Sequence, residues 1–465
     1  MMRFSLILFL LTLVKLTGIE NRPNFLVIAI DDLNDYNGVL GGHPNASTPH
    51  LDRLAKQGVL FTNAHCNSPV CKPSRTAIWT GLRPTTTGIT SNRAGWFRDQ
   101  PGFENIVTLT QTVKKAGYHT FGYGKLYHTF RDDVVAVEWE NFNQFEYGPW
   151  LSPKLNYRGR GDRITDWGVP PPGHRSSWDP EIADRTIIVL EDNHDAPFFL
   201  GCGFYRPHTP LYADQVWYDA HPIQNIQLPP GAVEGDTDDL VYFGVRERRP
   251  QDVEAPGLFD QDYAEASGKW KDLIQAYLAS TTAMDYQLGR VMDTLNSSKY
   301  AKNTYIICFS DHGWHLGEKR HWGKAALWEQ TTRVPFIIAG PGFPRGAVCD
   351  KPVELIDIYP TVMDYAELKP HHKLEGRSLR PLLEDVDAEW NYPAWTTFVD
   401  HHAVRTQDWR YIRYVSGEEE LYDMKNDPQE LENLAVTRPA DSDVEKHLKA
   451  MRTELEKLVK TYHHD

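Results

Sequence analysis

Cysteine is scarce, positive charge is in deficit and long apolar runs are missing; each shortage removes a class of protein. Five cysteines in 465 residues are too few for a disulfide-stapled scaffold, and their odd number leaves at least one unpaired. Cys308, inside the apolar run TYIICFS, reads as a small buried hydrophobe. A net charge of −14 excludes a surface that gathers nucleic acid by long-range attraction. An enzyme for an anionic substrate must then concentrate its cations in a cleft. No apolar stretch reaches the length of a membrane-spanning helix, so no stable membrane span is expected. There is no internal repeat and no low-complexity tract, and ordinary hydrophobic and charged fractions exclude wholesale disorder.

What is present begins with an export signal. Arg3 precedes the apolar run Phe4 to Val14, and Leu16, Thr17 and Gly18 follow as a cleavage region. Residues 1–20 read as a signal peptide, which predicts export to a periplasm, the outside or a lysosome-like organelle. The remaining length predicts one large domain, residues 21–385, and a smaller C-terminal subdomain, residues 386–465.

Across the first of these, buried-strand runs alternate with helical patterns. NFLVIAI (Asn24 to Ile30), VLFTNAH, PFFLGCGF and NTYIICFS read as strands; Pro49 to Gln57, Val107 to Lys115 and Trp270 to Leu295 read as helices. This alternation predicts an α/β fold with a mostly parallel sheet covered by helices, and places ligands beyond the carboxyl ends of the strands. Residues 132–175 and 214–257 read as irregular functional loops. After about residue 385, AWTTFVD and WRYIRYV read as antiparallel strands, ELYDMKNDPQELENLA as a turn-rich return, and Ser442 to Tyr462 as an amphipathic helix.

Three features fall at predicted strand ends. Asp31-Asp32 follows the first strand and Asp311-His312-Gly313 follows the strand ending at Ser310. Adjacent carboxylates repel unless a cation lies between them, and a parallel sheet can bring both ends to one point, a site suited to Ca²⁺ or Mg²⁺. Either pair alone reads first as solvated loop acids and a helix cap. The third feature is Cys71-Lys72-Pro73-Ser74-Arg75, followed by TAIWTGLRP.

This third feature resembles the C-x-P-S-R signature of the type I sulfatases, with the T-G-x-x-P that follows it in that family. The resemblance runs from about Asn24 to Leu434, and the order of motifs is most similar to the branch of iduronate-2-sulfatase and related glycan sulfatases. It implies an alkaline-phosphatase-like fold and oxidation of Cys71 to formylglycine by a formylglycine-generating or sulfatase-maturating enzyme. One hydroxyl of the aldehyde hydrate would attack sulfur, and deprotonation of the other would expel sulfate. The resemblance further implies one Ca²⁺ held by Asp31, Asp32, Asp311 and His312 together with the modified Cys71. His312 stands where the commoner pattern has Asn, and a nitrogen ligand is softer than calcium prefers.

Site roles carry over by motif. Arg75 matches the residue that holds the hydrate, and Lys125 and His128 in GYGKLYH match the G-K-x-x-H element. His208 in FYRPHTP matches the histidine on the leaving-oxygen side, where a general acid is needed. Lys324, ending DHGWHLGEKRHWGK, matches the second sulfate-binding lysine. His315, Lys319, Arg320 and His321 lie between a metal ligand and a sulfate ligand and are expected to meet substrate, while Arg98 in WFRDQ is expected to meet a uronate carboxylate. The substrate implied is a sulfated carbohydrate. Two other readings stay open: a phosphate or phosphonate ester hydrolase of the same superfamily, and a non-catalytic glycan-binding relative.

Overall fold

Eight consecutive buried residues form strand β1, Asn24–Asp31, and successive side chains leave it on opposite faces. Phe25, Val27 and Ala29 enter one core, whereas Leu26, Ile28 and Ile30 enter another. A strand covered on both sides has no polar face to show, hence the unbroken apolar run. The computed structural model describes residues 22–146, 148–156, 166–241 and 261–462. The expected signal peptide lies outside these residues, as do parts of both irregular stretches. Among the described residues no helix is long and apolar enough to cross a membrane.

The main sheet adds β2 (Gly58–Phe61), β3 (His119–Gly124), β4 (Asn141–Asn143), β5 (Phe198–Pro207), β6 (Thr304–Ser310), β7 (Phe336–Ala339) and β8 (Ala347–Cys349). Their order is β8-β2-β7-β6-β1-β5-β3-β4. Within it β7 runs against both neighbours, while β6, β1, β5, β3 and β4 are mutually parallel. On one face lie α2 (Cys71–Thr80), α3 (Leu109–Lys115) and α6 (Ile358–Ala366), through Ile78, Trp79, Val113 and Val362. On the other lie α1 (Pro49–Ala55), α4 (Asp179–Glu191) and α5 (Trp270–Ser297), through Leu54, Ile182, Met284 and Leu288. The mostly parallel, helix-covered sheet expected from the sequence is present. Helix α3 starts at a reciprocal cap, with Thr108 Oγ1 accepting from the Gln111 amide and Gln111 Oε1 accepting from the Thr108 amide.

A separate antiparallel sheet follows: β9 (Ala394–Phe398), β10 (His401–Arg405), β11 (Trp409–Arg413) and β12 (Glu419–Asp423), in that order. Helix α7 (Ser442–Tyr462) covers it, packing Val444, Leu448, Met451 and Leu455 on Trp395, Val404, Tyr411 and Leu421. Several elements differ from expectation. HHAVR, given no element from the sequence, pairs as strand β10, and EELYD, whose last four residues were read into the turn-rich return, pairs as strand β12. VLFTNAH splits into β2 and a two-residue strand, Ala64–His65. The first irregular stretch contains a helix, Asp132–Glu138, and edge strand β4; neither has the length or periodicity that reveals an element by pattern.

The second sheet is tied to the first layer by buried charge. Arg410 on β11 is 1% exposed, pairs with Glu329 Oε2, lies 2.8 Å from Glu430 Oε1 and donates to the Leu327 carbonyl at 2.9 Å. Removing one member of such a group strands the opposite charges in low dielectric, at a cost of roughly 3–5 kcal/mol. Arg410→Met should therefore lower the melting temperature by several degrees. A melting curve matching that of the parent protein would show that these contacts contribute nothing net.

Candidate active site

Strand register brings the two acidic pairs together. Ile30 on β1 stands beside Ser310 on β6, so Asp31-Asp32 and Asp311-His312 leave the sheet side by side at its carboxyl edge. Ser310 Oγ joins them, accepting from the Leu33 amide at 2.9 Å and donating to the His312 carbonyl at 2.9 Å. The Asp32 amide donates to Asp311 Oδ1 at 3.3 Å. Asp32 itself sits at φ +64°, a left-handed conformation unfavourable for a residue with a side chain and typical of functional sites.

Helix α2 faces this edge with its first residue. It starts at Cys71, two residues before the proline that marks it in the sequence, so the thiol lies at the helix N-terminus, where the helix dipole favours negative charge. Ser74 Oγ donates to the Asp311 carbonyl at 2.6 Å. Arg75 lies one turn on, donating through Nε to Asp311 Oδ2 at 2.7 Å and approaching Asp31 Oδ1 at 3.4 Å. Ser74 was assigned no task from the sequence, yet it pins the signature helix to the acidic loop; its place inside the motif was the available signal.

The remaining members come from distant segments. Lys125 follows β3 and bonds to Asp31; its backbone amide donates to the Gly203 carbonyl at 2.7 Å. A Cβ on Gly203 would lie 2.4 Å from the Lys125 carbonyl, so the glycine is what lets this turn approach. Lys324 Nζ lies 2.8 Å from Asp32 Oδ1. Cys71 Sγ is then 3.0 Å from Lys324 Nζ, 3.2 Å from His312 Nε2, 3.5 Å from Lys125 Nζ and 3.6 Å from Asp31 Oδ1. A thiol is a weak donor and weak acceptor. Four polar neighbours are more than it can use.

Electrostatics follows from burial and from this ring of charge. Burial works to raise the Asp31 carboxyl, but Lys125, His208 and Arg75 hold it well below the carboxylate range. Asp32 goes the other way: burial, with the Asp31 charge adding to it, pushes it up to about 7 despite Lys324. Lys125 and Lys324 lower the Cys71 thiol against its burial. Burial opposes charge on His312, yet Asp311 and the thiol lift it to about 9. Burial, then Lys125, depresses His208, and the same two causes bring His128 down to about 3. His208 Nδ1 faces the Thr209 carbonyl at 2.5 Å, which leaves Nε2 directed inward, 3.8 Å from Asp32 Oδ2.

The donor set fits a divalent cation. Asp31, Asp32, Cys71 and His312 each offer one ligand atom within 4.8 Å of the others, all buried. Asp32 Oδ2 is buried without a hydrogen-bond partner, a cost that a bound ion would relieve. His312 Nδ1 is bonded to the Gly313 carbonyl at 3.0 Å, orienting Nε2 into the cluster as histidine ligands require. Asp311 is engaged differently from its neighbours: Oδ2 is on Arg75, and Oδ1 accepts from two amides, those of Asp32 and His312.

The residues expected to meet the sugar are more dispersed. Arg98 donates to Glu138 Oε1 at 2.8 Å and Gln111 Oε1 at 3.1 Å. Lys319 lies 3.1 Å from Asp236 Oδ1 and Arg320 lies 3.0 Å from Glu265 Oε1. His315 is buried, 2.6 Å from Thr331 Oγ1. His321 Nε2 lies 3.0 Å from the Lys324 carbonyl. The second sheet touches segments that flank site residues in the chain: Thr396 Oγ1 donates to the Cys66 carbonyl at 2.6 Å, five residues before Cys71, and Arg410 donates to the Leu327 carbonyl, three residues after Lys324.

The chain is similar to known proteins. The chain matches the family described as Sulfatase over residues 23–368, and the one described as N-sulphoglucosamine sulphohydrolase, C-terminal, over residues 317–460. A sulfatase of Formosa agariphila is 40% identical over 431 residues, covering 89% of this chain and 83% of that one. Iduronate 2-sulfatase of Mus musculus is 30% identical over 342 residues, covering 69% and 59%. Among solved structures, phosphonate monoester hydrolase of Agrobacterium radiobacter superposes with TM-score 0.76 at 21% identity, covering 95% and 96%. A protein solved with its substrate D-glucosamine-2-N,6-O-disulfate superposes with TM-score 0.73 at 23% identity, covering 95% and 98%. At these identities the structures speak for the fold, and it is the alkaline-phosphatase-like one.

Proposed function

Since the chain belongs to the sulfatase family, we propose that it is an exported, calcium-dependent enzyme that removes sulfate from a carbohydrate, using Cys71 oxidised to formylglycine. The observation that carries this reading is the Cys71 side chain lying between Lys125, Lys324 and His312 at the head of a helix. A hydrated aldehyde there supplies a hydroxyl nucleophile, and a divalent cation, when bound, supplies charge that lowers its pKa.

This chain's residues do the rest. Asp31, Asp32 and His312 would hold the cation beside position 71. Arg75, fixed by Asp311, is assigned to hold the hydrate of residue 71. Lys125 and Lys324 are the counter-charges for the sulfuryl oxygens, both kept protonated by the carboxylates beside them. Three carboxylates face three cationic side chains, so the added positive charge of a divalent ion leaves the cleft ready for an anionic ester. His208, with Nε2 3.8 Å from Asp32 Oδ2, is the group to protonate the departing sugar oxygen. His128 lies beside Lys125 and Lys324 as a neutral imidazole and is assigned to hydrogen bonding of the hydrate or sulfate.

Likeness to iduronate 2-sulfatase and the presence of His312 after Asp311 favour a uronate-bearing sulfated glycan as substrate. A carboxylate meeting Arg98 must compete there with Glu138, whereas His321 is held by the Lys324 loop itself. Turnover of a chromogenic aryl sulfate against the matching aryl phosphate and phosphonate tests the reaction class. Sulfate turnover is expected to dominate. Preference for phosphorus esters would move the protein to the phosphonate hydrolase reading, and inertness of the matured protein on all three would leave a glycan-binding relative. Screening sulfated glycans with and without uronate then identifies the sugar.

Metal removal has its own expected result. Chelation should abolish turnover and lower the melting temperature together, because a ligand bound only by the native state stabilises it. Activity and melting untouched by exhaustive chelation, with no metal found by elemental analysis, would exclude the cation.

A further inference from the structure

One buried hydroxyl outside the ligand set holds Asp32 in its unusual backbone shape. Tyr277 lies on α5, fully buried, and its hydroxyl donates to the Asp32 carbonyl at 2.7 Å. The same oxygen accepts from the Asn34 amide at 2.9 Å. The Asn34 side chain in turn donates to the Trp314 carbonyl at 2.8 Å and accepts from the Tyr36 amide at 2.9 Å. The turn from Asp32 to Asn34 is thus closed onto a 28-residue helix through its Asp32 carbonyl and Asn34 amide, while the Asp32 and Leu33 amides between them are taken by Asp311 and Ser310. At φ +64° the backbone of Asp32 has a lower-energy alternative at negative φ, and adopting it would swing the carboxylate away from Asp31, Cys71 and His312.

We infer that Tyr277 is a positioning residue for the cation site: its hydroxyl bridges the Asp32 carbonyl and the Asn34 amide and holds the left-handed turn that aims the Asp32 carboxylate. The inference rests on the metal reading above, and it assigns to the protein, not to the ion, the work of ordering this ligand. A ligand ordered in advance costs less to bind, which is why outer partners of metal ligands contribute to affinity.

The test is a calcium titration of the chelator-stripped full chain by calorimetry, comparing parent, Tyr277→Phe and Tyr36→Phe. Tyr36 is an equally buried tyrosine whose ring meets that of Tyr277 edge-on at 5.9 Å, but its hydroxyl serves Glu318. Both variants lose one buried hydroxyl and should melt lower. Tyr277→Phe alone should weaken calcium binding, by about 10- to 100-fold. Calcium affinity equal to the parent's in Tyr277→Phe, or an equal loss in Tyr36→Phe, overturns the inference while leaving the metal site standing. A parent protein that takes up no calcium overturns the metal reading itself. Hydrogen exchange of the parent gives a readout that needs no variant. The Asn34 amide should be protected already in the metal-free protein, and protection that arrives only with calcium would assign the ordering to the ion.

Discussion

Cys71→Ser protein should fold, retain the charged cleft and hydrolyse almost no sulfate ester, falling roughly 10⁴-fold or more below the parent as nucleophile removal does elsewhere. Position 71 is the first residue of α2, surrounded by Lys125, Lys324, His312 and Asp31, and a serine there keeps the size and the hydrogen bonding. What it loses is the second hydroxyl on the same carbon. A serine that has taken up sulfur has no neighbouring hydroxyl whose deprotonation can expel it, so the reaction halts. The parent should carry the complementary signature: its peptide containing residue 71 is expected lighter than the thiol form by about 18 Da, the difference between a thiol and an aldehyde side chain. A fully active parent whose residue 71 is an unmodified thiol would falsify the proposal.

His208→Ala should separate substrates by their leaving groups. A sugar alkoxide is a poor leaving group and needs a proton as the bond to sulfur breaks, whereas a phenolate leaves unaided. The variant is expected to lose about 10²-fold or more on a sugar sulfate relative to an aryl sulfate, the usual worth of general acid catalysis. The geometry is suited to the task, since Nδ1 is anchored on the Thr209 carbonyl and Nε2 turns toward the Asp32 side of the cleft. The depressed proton affinity of His208 comes from burial and Lys125; an incoming sulfate anion opposes the second of these and favours the protonated ring. Lys324 is the competing donor, but Asp32 and the Cys71 side chain raise its proton affinity, which makes it a counter-charge rather than a source of protons. Equal losses on both substrates would make His208 a binder and pass the acid role to Lys324, whose own substitution would then have to discriminate.

Arg98, Lys319 and Arg320 mark where reading by pattern ran out. Each is a cation at a suggestive place in the chain, and each has an acidic partner within 3.1 Å: Glu138, Asp236 and Glu265. These partners are 40 to 83 residues away, so local sequence offers no way to distinguish a cation aimed at substrate from one satisfied by the fold. The short strands β4, β10 and β12 were obscure for a related reason: a strand with so little apolar pattern owes its existence to the neighbours it pairs with.

The sequence by itself determined the alternation of buried strands and helices, the signature that begins at Cys71, and the acidic pairs at Asp31-Asp32 and Asp311-His312. Those depend on local rules: an apolar run long enough for a covered strand, a signature whose residues are contiguous, and acidic pairs that follow strands directly. Only the tertiary structure decided that the two pairs lie side by side, because that is a matter of β1 and β6 being neighbours across 279 residues. Only it decided that Lys125 and Lys324 reach the same thiol, that α2 begins at Cys71 itself, and that Tyr277 closes the turn at Asp32. Each is a close approach between segments far apart in the chain. Such approaches are set by sheet order and packing, which no single stretch of sequence encodes.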